Sequence, residues 1–310
     1  MAVQRNSLRF DLKRICAECN IDESVLDTFP IAQNELKAIY DDFVASKKDF
    51  EEIKGDVLAI LNNSLPGKVH SIRARVKDSN HLIGKIIRNV NEKPDKYGKI
   101  SVENYNKIIT DLIGVRIIIL NKHDWREVHT SLLQIFRNIP ERYAKQSHEI
   151  ERNFNTYTVS EDKTQWKAES YHAEEPVVYI TSEDDRTEYI GKNLHIDTAK
   201  KHYRSIHYII RYGNFYFEIQ VRTLFEEGWL EFDHRVKYPS DRNNAKKQEY
   251  IEILSSLAIA ADRLIAFYHQ HENDFKKDKK HPKVSASLPA KAGESFTPCL
   301  TVQDKMKSKF

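Results

Sequence analysis

The feature that most constrains this fold is the run Asp-Leu-Ile-Gly-Val-Arg-Ile-Ile-Ile-Leu at residues 111–120. It is almost continuously apolar and rich in β-branched residues, which is typical of a strand inside a sheet rather than at its edge. A strand buried on both faces needs neighbouring strands and covering helices. The run therefore predicts a central strand in a domain that mixes helices and strands.

The rest of the chain supplies those neighbours. Alternating apolar residues predict a short strand at residues 69–76, and two β-rich runs joined by Gly213-Asn214 predict a hairpin over residues 205–223. Apolar residues at spacings of three and four predict helices within residues 1–65, 81–90, 124–136, 224–234 and 246–271. Strands and helices mixed around a central sheet give an α+β or α/β fold.

In the last of these helices we expect one face to point inward, formed by Ile251, Leu254, Leu257, Ala258, Ala261, Leu264 and Ile265.

Composition and turn signals divide the chain into successive parts. We predict an N-terminal helical region (1–65), a central domain (66–240), a C-terminal helix (241–271) and a flexible basic tail (272–310). Within the central domain, residues 140–202 are polar, charged and poor in periodicity. We interpret them as an insertion with one strand at residues 177–181.

Bulk composition excludes several classes of protein. The 49 Lys and Arg against 46 Asp and Glu leave a net charge of +3, which does not indicate a nucleic-acid binder. No stretch approaches the ~20 apolar residues of a membrane span, and residues 1–20 lack the apolar core of a secretion signal. The pair Cys16 and Cys19 lacks the further ligands of a zinc site. We expect reduced thiols and a cytoplasmic protein that does not bind membranes.

Three cations converge in the first half of the central domain. Arg75 and Lys77 alternate on one strand, so their side chains point to the same face, and Lys85 on the following helix can return to that face. Such a cluster suits a polyphosphate, and Arg75 also offers a planar surface to a base. A solvated edge strand has the same pattern, so this alternative stays open.

Two carboxylates suggest a metal site beside these cations. Asp111 precedes the buried strand that carries Arg116, where it is well placed to hold Mg²⁺ against phosphate oxygens. Glu218 on a neighbouring strand could be a second ligand and accept a proton from an attacking hydroxyl. The alternatives are a cap or turn role for Asp111 and a solvent-facing position for Glu218.

A second polar group surrounds the hairpin. Gln220 and Arg222 alternate with Glu218, so the three share one face of a strand. Tyr203 and His207 flank the start of the hairpin, and Tyr203 offers a stacking surface for a base. A tyrosine that merely packs at a strand end is equally consistent with these residues.

Taken in order, these clusters resemble the synthetase domain of the RelA/SpoT family, the alarmone (p)ppGpp synthetases. The resemblance covers residues 65–240, and His234 and Lys237-Tyr238 continue it. Each motif is short, but four in the right order are specific. They are Arg75-Val-Lys-Asp78 with Lys85, Asp111-Leu-Ile-Gly-Val-Arg116, Tyr203-Arg-Ser-Ile-His207 and Glu218-Ile-Gln-Val-Arg-Thr223.

The resemblance implies a nucleotidyltransferase-like mixed sheet flanked by helices, and it implies roles on the ATP side. Arg75 would stack on adenine, while Lys77, Lys85 and Arg116 would hold the phosphates. Asp111 would bind Mg²⁺. The implied reaction is attack of an acceptor 3′-hydroxyl on the β-phosphorus of ATP, with AMP leaving.

On the acceptor side the resemblance implies that Tyr203 stacks on the acceptor base with His207 nearby, and that Gln220 and Arg222 complete this part of the site. Glu218 would act as base or second metal ligand.

The chain also departs from the family pattern. His81 stands where the family has a serine between its phosphate lysines. Members that accept GDP or GTP usually carry Pro-Lys-x-Asn-Gly immediately before the tyrosine. Here that stretch is Thr-Ala-Lys-Lys-His at residues 198–202, so the acceptor half matches less well than the donor half.

Three functions remain open at this point. The first is synthesis of (p)ppGpp from ATP and GDP or GTP. The second is a toxic small synthetase that pyrophosphorylates the 3′ end of tRNA, or another adenine-nucleotide acceptor, and is neutralised by an antitoxin. Lys200 and Lys201 favour the second. The third is a catalytically inactive binding module, against which the intact charged residues argue; homo-oligomerisation is left open.

Overall fold

The computed structural model describes residues 10–65, 67, 69–136, 170–198, 202–212, 215–237 and 245–278. They form a mixed sheet flanked by helices, which confirms the predicted α+β fold. The strands are β1 Val69–Val76, β2 Ile113–Ile119, β3 Ser170–His172, β4 Val177–Tyr179, β5 His195–Asp197, β6 Ser205–Tyr212 and β7 Phe215–Thr223.

Helices from both the N-terminal and the C-terminal parts of the chain flank this sheet. Among the described residues, no helix is long and apolar enough to cross a membrane. One compact unit ends at Gln270, and a second begins at His271. The helices are α1 Leu12–Cys19, α2 Gln33–Ala45, α3 Lys47–Ser64, α4 Ser79–Glu92, α5 Pro94–Tyr97, α6 Tyr105–Ile108, α7 Trp125–Ile135, α8 Leu224–Lys237 and α9 Ala245–Asp278.

The order of the strands is β1-β2-β7-β6-β4-β5, and β3 also pairs with β6. β2 is antiparallel to β1 and parallel to β7. β6 and β7 pair antiparallel with Tyr212 opposite Phe215, as expected for the predicted hairpin. Its turn, at residues 213–214, lies outside the described residues. The sheet thus brings the early strands β1 and β2 beside the late hairpin.

The N-terminal helices belong to the same hydrophobic core as the sheet. α3 packs on β1, and α1 and α2 pack on α4. Phe50 of α3 and Phe43 of α2 are fully buried in one cluster with Val115 of β2. Burial of such aromatic side chains contributes strongly to stability. The division of the chain into the four predicted parts stays a prediction.

β2 is an interior strand, as predicted, but one of its faces is only partly covered. Ile113, Val115 and Ile117 are buried on the first face. On the second face Ile118 is buried, whereas Gly114 and Arg116 are half-buried. The prediction of burial on both faces is therefore correct at Ile118 and wrong at Gly114 and Arg116. The open part of the second face is the floor of the site described below.

The region predicted as an insertion contributes more to the sheet than expected. Its predicted strand exists as β4, but β3 and β5 were not foreseen. Each has only three residues, too short to produce a readable alternation. Both β3 and β4 pair with β6, so this region extends the sheet beside the hairpin. Residues 137–169 lie outside the described residues.

The last helix differs from the prediction in length and in orientation. α9 continues to Asp278, beyond the predicted end at 271, because neither Pro nor Gly interrupts it. Leu257 and Leu264, predicted to face inward, are exposed at 61% and 69%. Ile251 is buried as predicted, and Leu254 and Ala258 pack against the same cluster. The buried face continues through Ser255, Ile259 and Asp262, and is thus rotated away from Leu257 and Leu264. On this face Asp262 is paired with Arg204. Residues 279–310 lie outside the described residues.

Helix α4, which carries Lys85, is positioned by a close crossing with α1. A Cβ atom built on Gly84 would lie 2.7 Å from Cys19 Cβ, so only glycine permits this approach. Arg88 Nη1 reinforces the crossing by donating to the Cys19 carbonyl oxygen at 3.1 Å. Cys16 and Cys19 are buried free thiols.

We predict that Gly84→Ala lowers the free energy of unfolding by about 1–3 kcal/mol, because the added methyl group overpacks the α1–α4 contact. Gly55→Ala in α3 is the matched control, since its Cβ would meet nothing within 4 Å. This control should raise stability by about 0.5–1 kcal/mol through helix propensity. Urea denaturation measures both variants, and equal effects would contradict the crossing.

Candidate active site

The floor of the site is one face of three adjacent strands. In the sheet register, Arg75 of β1 lies opposite Gly114 of β2, which lies opposite Glu218 of β7. The next row on the same face aligns Arg73, Arg116 and Gln220. Residues in such rows are close neighbours across a sheet. The topology therefore places residues predicted for the ATP side beside residues predicted for the acceptor side, although Arg75 and Glu218 are 143 positions apart in the chain.

Asp111 holds together the two lysines predicted to bind phosphate. Its Oδ2 atom lies 2.9 Å from Lys77 Nζ and 2.8 Å from Lys85 Nζ. Asp78 caps the start of α4 by accepting from the amide of Asn80, which fixes the helix that carries Lys85. Burial acts to raise the pKa of Asp111, but the two ammonium groups outweigh burial and lower it. The carboxylate is therefore ionised at neutral pH.

The predicted magnesium site fits the donor atoms that are present. In the described part of the chain, the buried Oδ1 atom of Asp111 has no hydrogen-bond partner. No cluster of three or more His, Cys, Asp or Glu side chains among these residues could hold a metal alone. Mg²⁺ commonly uses one or two carboxylates and takes its other ligands from phosphates and water. Asp111, with Glu218 as a second carboxylate, matches that pattern.

A hydrogen-bonded chain runs from Glu218 to Tyr203. Glu218 Oε1 lies 2.9 Å from His207 Nδ1, and His207 Nε2 lies 2.7 Å from the Tyr203 hydroxyl. Gln220 Nε2 donates to the other Glu218 oxygen at 2.6 Å. Burial alone would raise the pKa of Glu218, but the bond from His207 and its charge lower it. A proton on His207 Nδ1 donates to the ionised Glu218, and Nε2 then accepts from Tyr203 if the ring is neutral or donates to it if the ring is charged.

The two arginines predicted on this face are paired with acidic residues of α8. Arg116 Nη1 bonds Glu227 Oε1 at 2.7 Å and Glu231 Oε1 at 2.6 Å. Arg222 Nη1 bonds Glu227 Oε2 at 3.3 Å, and its guanidinium carbon lies 5.8 Å from the centre of the Tyr203 ring. Because the Arg222 side chain is fully buried, it can influence an acceptor only through such neighbours.

Two cavities open onto these residues and share Arg75, Lys77 and Arg116 in their walls. One, of about 420 Å³, reaches from Arg75 and Asp111 to Glu218 and Tyr203. The other, of about 730 Å³, is lined by cations that include Lys85 and Arg88. Ligand pockets commonly have volumes of ~300–1,000 Å³. Each cavity therefore has the size of a small-molecule pocket.

Two residues of this site, Arg73 and Tyr179, were not predicted from the sequence. Arg73 lines the smaller cavity beside Arg75, and its alternation with Arg75 and Lys77 was a readable signal. Tyr179 of β4 packs edge-on against the rings of Tyr203 and His207, with centroid distances of 5.5 and 4.8 Å. No local pattern announces Tyr179, because it reaches the site only through the pairing of β4 with β6.

The comparison with known families assigns the class of this protein. The sequence model described as "Region found in RelA / SpoT proteins" matches residues 74–243, which is more than half of the chain. The chain belongs to the RelA/SpoT family, whose synthetases are pyrophosphokinases. This confirms the resemblance drawn from the four motifs. No curated protein sequence matches the chain.

Three solved structures illustrate the similarity. Small alarmone synthetase 1 from Bacillus subtilis shows 17% identity over 74% of this chain and 95% of its own, with a TM-score of 0.43. The protein smu.1046c from Streptococcus mutans UA159 shows 17% identity over 77% of this chain and 96% of its own, with a TM-score of 0.43. A GTP pyrophosphokinase family protein from Streptococcus pneumoniae shows 17% identity over 80% of this chain and 98% of its own, also with a TM-score of 0.43.

We predict that Gly114→Val fills the smaller cavity without harming the fold. A Cβ atom at Gly114 would meet nothing within 4 Å, and valine suits a strand better than glycine does. The melting temperature should not fall, whereas the affinity for ATP with Mg²⁺ should fall by at least about tenfold, or roughly 1.4 kcal/mol. Calorimetric titration measures this affinity, with Gly55→Ala as the glycine control away from the cavity. Unchanged ATP binding in Gly114→Val would contradict a role of the smaller cavity in binding ATP.

Proposed function

We propose that this protein is an ATP-dependent pyrophosphokinase that transfers the β,γ-pyrophosphate of ATP to the 3′-hydroxyl of GDP or GTP. The observation that carries the proposal is that Lys77 and Lys85 both contact the carboxylate of Asp111. Lys77 and Asp111 line the same cavity as Glu218. In a RelA/SpoT family member, this pairs a polyphosphate cluster with a base for the acceptor. ATP is an intracellular nucleotide, so the proposal also places the enzyme in the cytoplasm.

On the donor side, the phosphates of ATP compete with Asp111 for Lys77 and Lys85. Both ammonium groups already point to one spot, so a phosphate that enters there needs little rearrangement. Arg75 then offers its planar guanidinium to the adenine. Arg116 would exchange Glu231, whose side chain is half-exposed, for a phosphate oxygen.

Asp111 and Glu218 are the residues that would hold Mg²⁺. When bound, the ion supplies charge neutralisation for the phosphates.

On the acceptor side, Glu218 accepts the proton of the attacking hydroxyl. The new bond forms between the 3′-oxygen and the β-phosphorus, the bond from that phosphorus to the α,β-bridging oxygen breaks, and AMP leaves with that oxygen. His207 holds Glu218 in one orientation through the 2.9 Å bond. Tyr203, whose hydroxyl is hydrogen-bonded to the other ring nitrogen of His207, stacks on the acceptor base.

A second acceptor class is favoured by the segment before Tyr203. It lacks the family's Pro-Lys-x-Asn-Gly run. His202 stands at the position of the glycine in that run, and its backbone is left-handed, with a φ of 62°. Lys200 and Lys201, outside the described residues, add positive charge suited to a tRNA backbone. The alternative function is pyrophosphorylation of the 3′ end of tRNA by a growth-arresting enzyme that an antitoxin neutralises.

The deciding experiment offers GDP, GTP, ATP or deacylated tRNA in turn to the protein with γ-labelled ATP and Mg²⁺. We expect label on GDP or GTP. Label on tRNA alone would show that tRNA is the acceptor and would contradict the first proposal. Glu218→Gln should lower kcat by at least about 100-fold, because the base is lost while the shape is kept.

The control is Glu103→Gln, the same change at an exposed position outside the site, which should leave the rate unchanged. Absence of label on every acceptor would contradict both functions and support a binding module.

A further inference from the structure

Tyr203 is bracketed by two residues that both contact helix α9. On one side, His202 Nε2 lies 3.7 Å from Glu252 Oε1. On the other side, Arg204 Nη2 lies 2.9 Å from Asp262 Oδ2. Because Tyr203 stands between them, the position of its backbone depends on where α9 sits.

The Arg204 contact is buried and has several partners. The arginine side chain is 6% exposed, and its Nε atom also lies 3.2 Å from Glu226 of α8 and 3.6 Å from Asp184 of the segment after β4. Asp262, 1% exposed, also accepts a bond from the Thr223 hydroxyl at the end of β7. Loss of one partner from such a buried group leaves the other charges uncompensated. Arg204 thus joins α8, α9 and the inserted region directly beside Tyr203.

The ring of Tyr203 packs on the same pair of helices. It lies against a small hydrophobic cluster of Trp229 and Leu230 from α8 and Ile251 from α9. Trp229 Nε1 donates to the carbonyl oxygen of Ile251 at 3.1 Å, which ties the two helices together. The wall behind Tyr203 is therefore built in part by α9.

The backbone before Tyr203 is held in a conformation that its sequence does not favour. His202 has a φ of 62°, in the left-handed region that non-glycine residues rarely occupy. Strain of this kind persists only where surrounding contacts over-determine the conformation. Glu252 of α9 lies 3.7 Å from the ring nitrogen, outside hydrogen-bond distance, so the buried partners of the nearby Arg204 are the stronger constraint from α9.

We propose that α9 is a structural part of the acceptor site and sets the affinity for the acceptor by orienting Tyr203. Arg204, Asp262 and Glu252 are positioning residues in this arrangement, since they act on the acceptor through Tyr203. The inference rests on the proposed function, in which Tyr203 stacks on the acceptor base. It separates acceptor binding from ATP binding, because Lys77 directly follows β1, Lys85 lies on α4 and Asp111 lies in the turn before β2, all away from α9.

The test compares Asp262→Asn and Glu252→Gln with the control Arg263→Gln. Arg263 is the neighbour of Asp262 on α9 and also contacts the inserted region, through the Glu183 carbonyl at 2.8 Å, but its side chain is exposed and does not touch Arg204. Steady-state kinetics with GDP, or with deacylated tRNA if that is the acceptor labelled, gives separate KM values for acceptor and ATP. Thermal melts establish that each variant is folded.

We expect Asp262→Asn to raise the acceptor KM by about tenfold while the ATP KM and kcat stay within about twofold, as for an interaction that affects binding of one substrate. Glu252→Gln should act in the same direction but less, because its side chain is 46% exposed. Arg263→Gln should change nothing. Equal increases in both KM values, or an unchanged acceptor KM in folded Asp262→Asn, would overturn the proposal.

A second measurement does not depend on turnover. Hydrogen exchange of the amides at residues 202–206 should be faster in Asp262→Asn than in wild type and unchanged in Arg263→Gln, because the buried anchor of Arg204 is weakened. Unchanged exchange would overturn the positioning role even if the enzyme labels no acceptor. If Asp262→Asn does not fold, Glu252→Gln decides both measurements. Absence of label in the wild type contradicts the proposed function instead.

Discussion

The carboxylate of Asp111 between two ammonium groups is the interaction on which the candidate site depends. It joins the end of β1 through Lys77, α4 through Lys85 and the turn that opens the central strand β2. The consecutive elements β1 and α4 are thereby fixed to the start of β2. The same contact keeps two cations aimed at one spot and leaves one Asp111 oxygen without a hydrogen bond. A site organised in this way is prepared for a polyphosphate before the substrate arrives.

The acceptor half is built on a different principle. Its residues form a line of hydrogen bonds from Glu218 through His207 to Tyr203, and this line is anchored from outside the sheet. Helices α8 and α9 and the inserted region meet at Arg204, directly after Tyr203. In our proposal, changes in these peripheral elements alter acceptor binding without disturbing the proposed ATP side. This division agrees with the sequence, in which the donor motifs match the family and the acceptor segment departs from it.

The sequence allowed prediction of the features that follow from local patterns. Strand β2 and the β6–β7 hairpin were readable from β-branched runs, and the convergence of Lys77 and Lys85 on one face was readable from alternation and from the helix that follows. Features set by long-range contacts were not readable. Tyr179 reaches the site only because β4 pairs with β6, and the burial of Asp262 in α9, where Leu257 and Leu264 are exposed, accompanies its long-range pairing with Arg204. Assignments of individual site residues remain predictions.

The most direct test of the central claim is the stoichiometry of the products. With ATP labelled separately at the β and γ positions, a pyrophosphokinase must release one AMP for each acceptor modified, and both labels must appear together on the acceptor. The account predicts this result, with no ADP formed. Formation of ADP with only the γ label on the acceptor would show transfer of a single phosphate and would contradict it.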